Sequence, residues 1–445
     1  GGGEPDGSPG AGDSYRGASW VSLACLPYAF KLLWAPFVDT VFWPRVGRRK
    51  SWIIPCNLVV GLLWLELSGC IDELVAKSSS VGDTESIRNL TLRLFIIVLF
   101  GAVSDVAVDG WALTVDPNLL SQAALAQTIG MTLGNFFTHA GVLCGLTETC
   151  YTNLLRIDAP LPLEVVARFA GFLHVLMTAF VVLTREGASD PNKQSVTPRR
   201  FLTLVWGVTS RRPFRILVMV LLTSRLPFSL TEGNTLPAVE FVRAGGEFDK
   251  LASVLALQYP FQGILGVLVA RRLASATSDP TKVWLQSHTI LLSLALLTPA
   301  ATSGVGRLVA PTQSLEARWL GALLLGLVMA ASNTVNKAVF IAMGTYFNQI
   351  TDEVAGGTII TLLWSLSNCG RFIPRTPAFW VATKIGPLQA TTALALLGWG
   401  QLPFVSFWLR ELEGFNPKRD FCLTVKDKAS ESEIDFRLKK YEHEL

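Results

Sequence analysis

Two carboxylates interrupt an otherwise apolar run. Residues 94–113 read LFIIVLFGAVSDVAVDGWAL, long and apolar enough to span a bilayer except for Asp105 and Asp109. An ionised carboxylate at membrane depth costs about 2.5 kcal/mol or more by insertion scales, so it is rarely kept without a task. Spaced i and i+4, the two acids share one helix face, and that face must look onto a polar interior rather than lipid. Two kinds of chemistry suit them. A carboxyl group that changes protonation with its surroundings can couple or gate the movement of a solute. Alternatively, each acid pairs with an intramembrane cation, Lys31 or Lys337, and locks the helices together. Holding a phosphate is a poor role for them, because like charges repel. His139 and His174 also lie in apolar runs and titrate near neutrality, although most such histidines are hydrogen-bonded packing residues.

The elements that must position these acids are membrane spans. Half the residues are hydrophobic and only 16% are charged, well below the roughly 25% of a soluble domain, and the mean hydropathy is +0.42. A window of about 19 residues picks out about eleven apolar segments, at 20–41, 52–69, 92–115, 119–146, 165–183, 214–230, 251–270, 283–301, 319–347, 357–382 and 388–409. The fold class expected is all-α and polytopic. Lys and Arg collect in alternate loops: Arg45, Arg48, Arg49 and Lys50 after the first segment, six from Arg185 to Arg212 after the fifth, and Arg271, Arg272 and Lys282 after the seventh. The positive-inside rule makes those loops cytosolic, and the C-terminal tail with them. The net charge of +4 adds little to this.

The expected organisation is a Gly/Pro-rich stretch at 1–17 that does not fold alone, a helical bundle at 18–185, a basic cytosolic linker at 186–212, a second bundle at 213–410 and a tail at 411–445. An enzyme is not expected. The sequence has no phosphate-binding loop, no GxSxG and no HExxH, and its seven cysteines show neither CxxC nor His/Cys metal spacing. No cofactor, metal or nucleic-acid partner is expected either. Asn89-Leu90-Thr91 is the one glycosylation sequon, expected in a lumenal loop, and Cys70, Cys144 and Cys150 lie on or near the non-cytosolic side, where pairing is open to them.

Five spans before the basic linker and six after it approach the six-plus-six layout of major facilitator transporters. In that superfamily an Asp-Gly-Arg-Arg/Lys element sits in the cytosolic turn after the second helix. Here Asp39 is followed by Gly47, Arg48, Arg49 and Lys50, with extra residues between the Asp and the Gly. The first span therefore corresponds to a second helix, and a first helix has no counterpart in this stretch. The run FKLLWAPFVD at 30–39, GRRKSW at 47–52, DVAVDGWALT at 105–114 and GGTIITLL at 356–363 with Ser367-Asn368 closely resemble the acetyl-coenzyme A transporter family. The chain departs from that pattern at Arg371 and Arg375, where the family is mostly neutral. Bacterial muropeptide permeases share the paired acids but typically lack the Gly-Trp-Ala-Leu that follows Asp109.

The resemblance implies a secondary carrier in the endoplasmic reticulum membrane that moves acetyl-CoA by alternating access, either proton-coupled or in exchange for CoA. A carrier of another large anion (a muropeptide-like solute or another CoA ester) and a transport-inactive scaffold stay open, as does homo-oligomerisation. Acetyl-CoA carries about four negative charges, which a low-dielectric cavity must offset. Lys31, Arg225, Lys337, Arg371, Arg375 and Lys384 interrupt the spans as phosphate ligands would, and Trp34, Trp111 and Trp364 could stack on adenine. Each has a plainer reading. Lys31 stands about two turns from Asp39 and could hold the helix entry, and Arg225 could snorkel. Lys337 shares a polar face with Asn333 and Asn336, Arg371 and Arg375 share a face beside Pro374, and the tryptophans suit packing.

Asp39, Gly47, Arg48 and Arg49 read as a latch that pairs in one access state and releases in the other. Asp39→Ala is therefore expected to lower turnover several-fold with little change in affinity. Unchanged turnover in reconstituted vesicles would remove the latch.

Overall fold

The computed structural model describes residues 17, 19–78, 84–112, parts of 130–152, 156–184, 186, 206, 210–256, 258–274, 279–350, 356–415 and 421. Every regular element among them is a helix. The first half holds a 3-10 turn at Leu23–Cys25, α1 (Leu26–Ala29), α2 (Lys31–Thr40), α3 (Lys50–Ser68), α4 (Ile71–Ser78), α5 (Thr84–Ala112) and α6 (Leu163–Leu183). The second half begins with α7 (Arg212–Thr223), α8 (Thr235–Arg243), α9 (Phe248–Ala256) and α10 (Gln258–Ala274). It continues with α11 (Pro280–Gly306), α12 (Leu315–Ile350), α13 (Gly356–Phe372), α14 (Arg375–Ile385) and α15 (Pro387–Glu413). Seven stretches of the described residues are long and apolar enough to cross a membrane: α3, α5, α6, α9 with α10, α11, α12 and α15.

The membrane character shows on α6. Phe169, Phe172, Leu176, Phe180 and Leu183 are all more than 60% exposed and recur every three or four residues, while Ala167, Gly171 and Thr178 are buried on the other side. Large apolar side chains outward and small ones inward is the arrangement of helices that pack within lipid. Gly61 of α3 and Gly171 of α6 let the two backbones touch, since a Cβ on either would stand about 3 Å from the other's carbonyl oxygen.

Three predicted spans are present as broken helices. The 20–41 segment breaks at Phe30 (φ −101°, ψ 18°), between α1 and α2. A break leaves carbonyls without their helical N–H partners, and in a bilayer these need protein donors. Donors come from the other half of the chain: Asn368 Nδ2 donates to the Tyr28 carbonyl at 3.2 Å, and Cys369 Sγ to the Ala29 carbonyl at 3.0 Å. The hydroxyls of Ser22 and Thr376 share a further bond at 2.6 Å, so α13 and α14 are stitched to the first span.

The 357–382 segment breaks at Pro374, which has no N–H and separates α13 from α14. The 214–230 segment is not one helix. It leaves α-geometry after Thr223, passes through a 3-10 turn at Leu226–Phe228 and resumes at α8 after Gly233 (φ 81°) and Asn234 (φ 62°). Pro227 and the left-handed pair force this detour. The 119–146 segment lies mostly outside the described residues.

One smaller expectation needs correction. The Asn89 sequon lies within α5 rather than in a loop, with Thr91 buried and Asn89 Oδ1 accepting from Arg93 Nε at 2.8 Å. Glu66, near the far end of α3, is 55% exposed and pairs with Arg93. Cys70 is a free thiol, and Cys144 and Cys150 lie outside the described residues. Beyond the spans, the α8–α9 turn is tied down through Glu247. Its hydrogen bond from Lys250, with the charge of Arg318 on α12, holds the Glu247 carboxyl below the usual carboxylate range.

Gly370 fixes the second half of the site. A Cβ there would stand 2.1 Å from the Leu221 carbonyl oxygen, so only glycine lets α13 lie against the α7 backbone. Gly370→Ala is expected to cost about 1–3 kcal/mol by overpacking, read as a lower thermal midpoint in detergent. A midpoint equal to the parent's would show that the two helices can part without loss.

Candidate functional site

The break at Phe30 places Lys31 in the first turn of α2, with its side chain only 5% exposed. Its ammonium donates to Asp105 Oδ2 and lies 3.5 Å from Asp109 Oδ2, both on α5. The Tyr28 ring faces it at 5.7 Å. Asp105 is 39% and Asp109 18% exposed, so the carboxylates border open space while the lysine does not. One ammonium against two carboxylates leaves this cluster one negative charge in excess. Of the two readings of the acids, pairing with Lys31 is what the geometry displays, and the surplus charge leaves room for a proton.

At the end of α5 the Gly47–Lys50 turn closes over the cluster. Gly47 has φ +112°, a left-handed conformation that favours glycine. Glu186 accepts from the backbone N–H groups of Arg49 (3.0 Å) and Lys50 (3.2 Å), filling the N-terminal donors of α3. Lys50 Nζ donates to the carbonyls of Val182 (3.0 Å) and Thr184 (2.8 Å) at the end of α6. The Arg49 guanidinium lies flat on Gly110, where a Cβ would stand 2.4 Å from Cζ. That contact gives a physical reason for glycine beside Asp109. Arg48 belongs to the same turn, and the Asp39 side chain lies outside the described residues.

A second charged cluster fills the detour after α7. Glu232 Oε1 accepts from Arg225 Nη2 at 2.8 Å and from Asn336 Nδ2 at 3.3 Å, and forms an ion pair with Arg371 Nε at 2.8 Å. Arg225 Nη1 donates to Asn336 Oδ1 at 2.8 Å. Arg375, across the Pro374 kink, reaches Thr235 Oγ1 only at 3.5 Å, and its buried Nε has no acceptor among the described residues. Arg225 and Glu232 are close to fully buried, at 11% and 9% exposure. Three guanidinium groups against one carboxylate leave two positive charges in excess. A small, partly open cleft adjoins them and is lined by Thr231, Glu232, Ser332, Asn333 and Asn336, with Phe228 and Leu291 on its apolar wall.

Thus Arg225, Arg371 and Arg375 come together in one half, and Lys31, Asp105 and Asp109 in the other. Lys337 joins neither: its ammonium lies 5.5 Å from the centre of the Phe340 ring, which stacks at 4.8 Å on Trp364. Trp111 packs, partly buried, on the cluster of Ala35, Val38, Ile53 and Val106. His174 Nδ1 faces Asn57 Oδ1 at 3.2 Å between α3 and α6, and the His139 side chain lies outside the described residues. Sequence reasoning missed Glu232 and Glu186. The first follows an apparent span end in a polar TEGN turn, and the second meets its partners across more than 130 residues. A lone acid seven residues after an intramembrane arginine was the one available signal for Glu232.

A family model described as acetyl-coenzyme A transporter 1 matches residues 10–200 and 188–393, almost the whole chain. The chain belongs to the acetyl-coenzyme A transporter family. Its relatives include an uncharacterized membrane protein, YBR220C, of Saccharomyces cerevisiae, 25% identical over 81% of this chain and 76% of the relative. Another is an uncharacterized protein, C21B10.09, of Schizosaccharomyces pombe, 28% identical over 85% of this chain and 70% of the relative. Among solved structures, a D-xylose-proton symporter superposes with a TM-score of 0.57 at 11% identity, covering 91% of this chain and 89% of the symporter. That likeness shows the fold: two helical bundles of the major facilitator type. The protein is a multi-pass membrane transporter.

Lys31→Met would leave two carboxylates facing each other without a cation. Breaking a fully buried pair costs about 3–5 kcal/mol; because Asp105 is 39% exposed, about 2–3 kcal/mol is expected here. The check is thermal unfolding, with Lys31→Met plus Asp105→Asn recovering most of the loss.

Proposed function

We propose that this transporter carries acetyl-CoA across the endoplasmic reticulum membrane by alternating access. The observation that carries the proposal is the surplus of two positive charges around Arg225, Arg371 and Arg375 inside the second bundle. Charge at that depth is costly unless matched, and a solute with phosphate groups would match it. Guanidinium suits the task because it grips phosphate oxygens through paired N–H donors. Trp364 lies seven residues before Arg371 on α13, about 10 Å along the same helix face. An aromatic surface at that spacing from the arginines suits a nucleotide whose base and phosphates bind together. The choice of acetyl-CoA among phosphate-bearing solutes, and of the endoplasmic reticulum, rests on the family.

The Lys31–Asp105–Asp109 cluster supplies the coupling in this reading. One proton neutralises it, so the first bundle can exist in two charge states while the second binds or releases the anion. The Gly47–Lys50 turn, seated between the ends of α5 and α6, is placed to sense that change and to alternate access.

In vesicles reconstituted with the purified chain, saturable uptake of labelled acetyl-CoA that excess CoA competes away is expected. Arg375→Gln, which removes one charge-assisted contact, is expected to reduce uptake about tenfold at low substrate (about 1.4 kcal/mol). Uptake that CoA leaves untouched would overturn the substrate, and undiminished uptake by Arg375→Gln would take that arginine out of the site.

A further inference from the structure

Glu232 is an unusual partner for the arginines around it. Its carboxylate is held through Oε1, by one N–H group each of Arg225 and Asn336 and by an ion pair with Arg371 Nε. Neither guanidinium uses the two-donor fork that a planar oxyanion normally attracts. Arg375, within the same electrostatic field, keeps a buried Nε–H without an acceptor among the described residues. Beside the carboxylate lies the cleft, where the Ser332 hydroxyl also has no partner among the described residues. Donors are therefore in excess, one small anion holds them loosely, and there is space for that anion to move.

We propose that Glu232 is a built-in counter-anion: its carboxylate occupies the seat of a solute phosphate, and a phosphomonoester or diphosphate binds by displacing it into the cleft beside Ser332 and Asn333. In the empty carrier the carboxylate offsets one of three guanidinium charges, of which that of Arg225 is nearly buried, and this makes reorientation without solute less costly. On loading, the phosphate takes over Arg225, Arg371 and Arg375. The Glu232–Arg371 ion pair between the α7–α8 detour and α13 is then replaced by a phosphate bridge. Because α13 also carries Asn368 and Cys369, which bond the broken first span, solute binding acts on the contact between the two bundles. The proposal rests on the arginine cluster being the anion seat, and not on acetyl-CoA being the solute.

The test is equilibrium binding of labelled pyrophosphate and of labelled CoA to the purified chain, with thermal unfolding to verify folding. Wild type, Glu232→Gln and Glu232→Asp are compared. Glu232→Gln is expected to bind pyrophosphate at least tenfold more tightly, and Glu232→Asp to shift the same way by less. Exchange uptake through Glu232→Gln is expected to slow by a similar factor. A folded variant of either kind that binds pyrophosphate no better than wild type overturns the proposal, and if Glu232→Gln does not fold, Glu232→Asp decides. Tightened pyrophosphate binding without CoA binding by any form removes the acetyl-CoA reading and leaves the counter-anion. Equal CoA affinity in all three removes the counter-anion and leaves the carrier.

Discussion

Charge inside a helical bundle sheathed by phenylalanine and leucine must find its counter-charge within the protein, because lipid offers none. Much of this structure follows from that constraint. Lys31 is held between Asp105 and Asp109, and Glu232 between Arg225 and Arg371. Neither cluster is neutral. The first keeps one negative charge and the second keeps two positive charges, and each imbalance is placed beside open space. An imbalance of opposite sign in the two halves is what a carrier needs if one half is to exchange protons and the other is to hold an anion.

The clusters exist because helices break. An unbroken first span would bond the Tyr28 and Ala29 carbonyls internally and leave nothing for Asn368 and Cys369 to reach. An unbroken α7 would run straight past the place where Glu232 turns back toward Arg225. Each break frees backbone groups that only a neighbouring helix can satisfy, so each also dictates a contact. Gly370 and the Gly61–Gly171 pair then set how close those neighbours come. Packing and polar satisfaction are one problem here, solved by glycine where backbones meet and by side-chain donors where they part.

α13 touches both the first span, beside Lys31, and the cluster behind α7. One end of its polar stretch bonds the carbonyls at the Phe30 break, and three residues on, Arg371 meets Glu232. The Pro374 kink follows at once, with Arg375 and Thr376 beyond it, the latter bonded to Ser22. Sites on the two halves are thus joined by a single bent helix rather than by a chain of loose contacts.

The sequence alone determined the class of the protein and half of its charged interior. Asp105 and Asp109 declare themselves because a carboxylate pair at helical spacing in an apolar run must face a polar interior, and Gly47-Arg48-Arg49 and the alternating basic loops are equally local signals. Arg225, Arg371 and Arg375 were visible as charges in apolar segments, but their convergence was not. Only the tertiary structure decided that Lys31 belongs to the acids, that Glu232 gathers the arginines and that Glu186 caps α3. Those pairings depend on where helices break and how far they then travel. The detour after Thr223 has local causes in Pro227, Gly233 and Asn234, whereas the break at Phe30 is met by donors some 340 residues away, which no window of sequence contains.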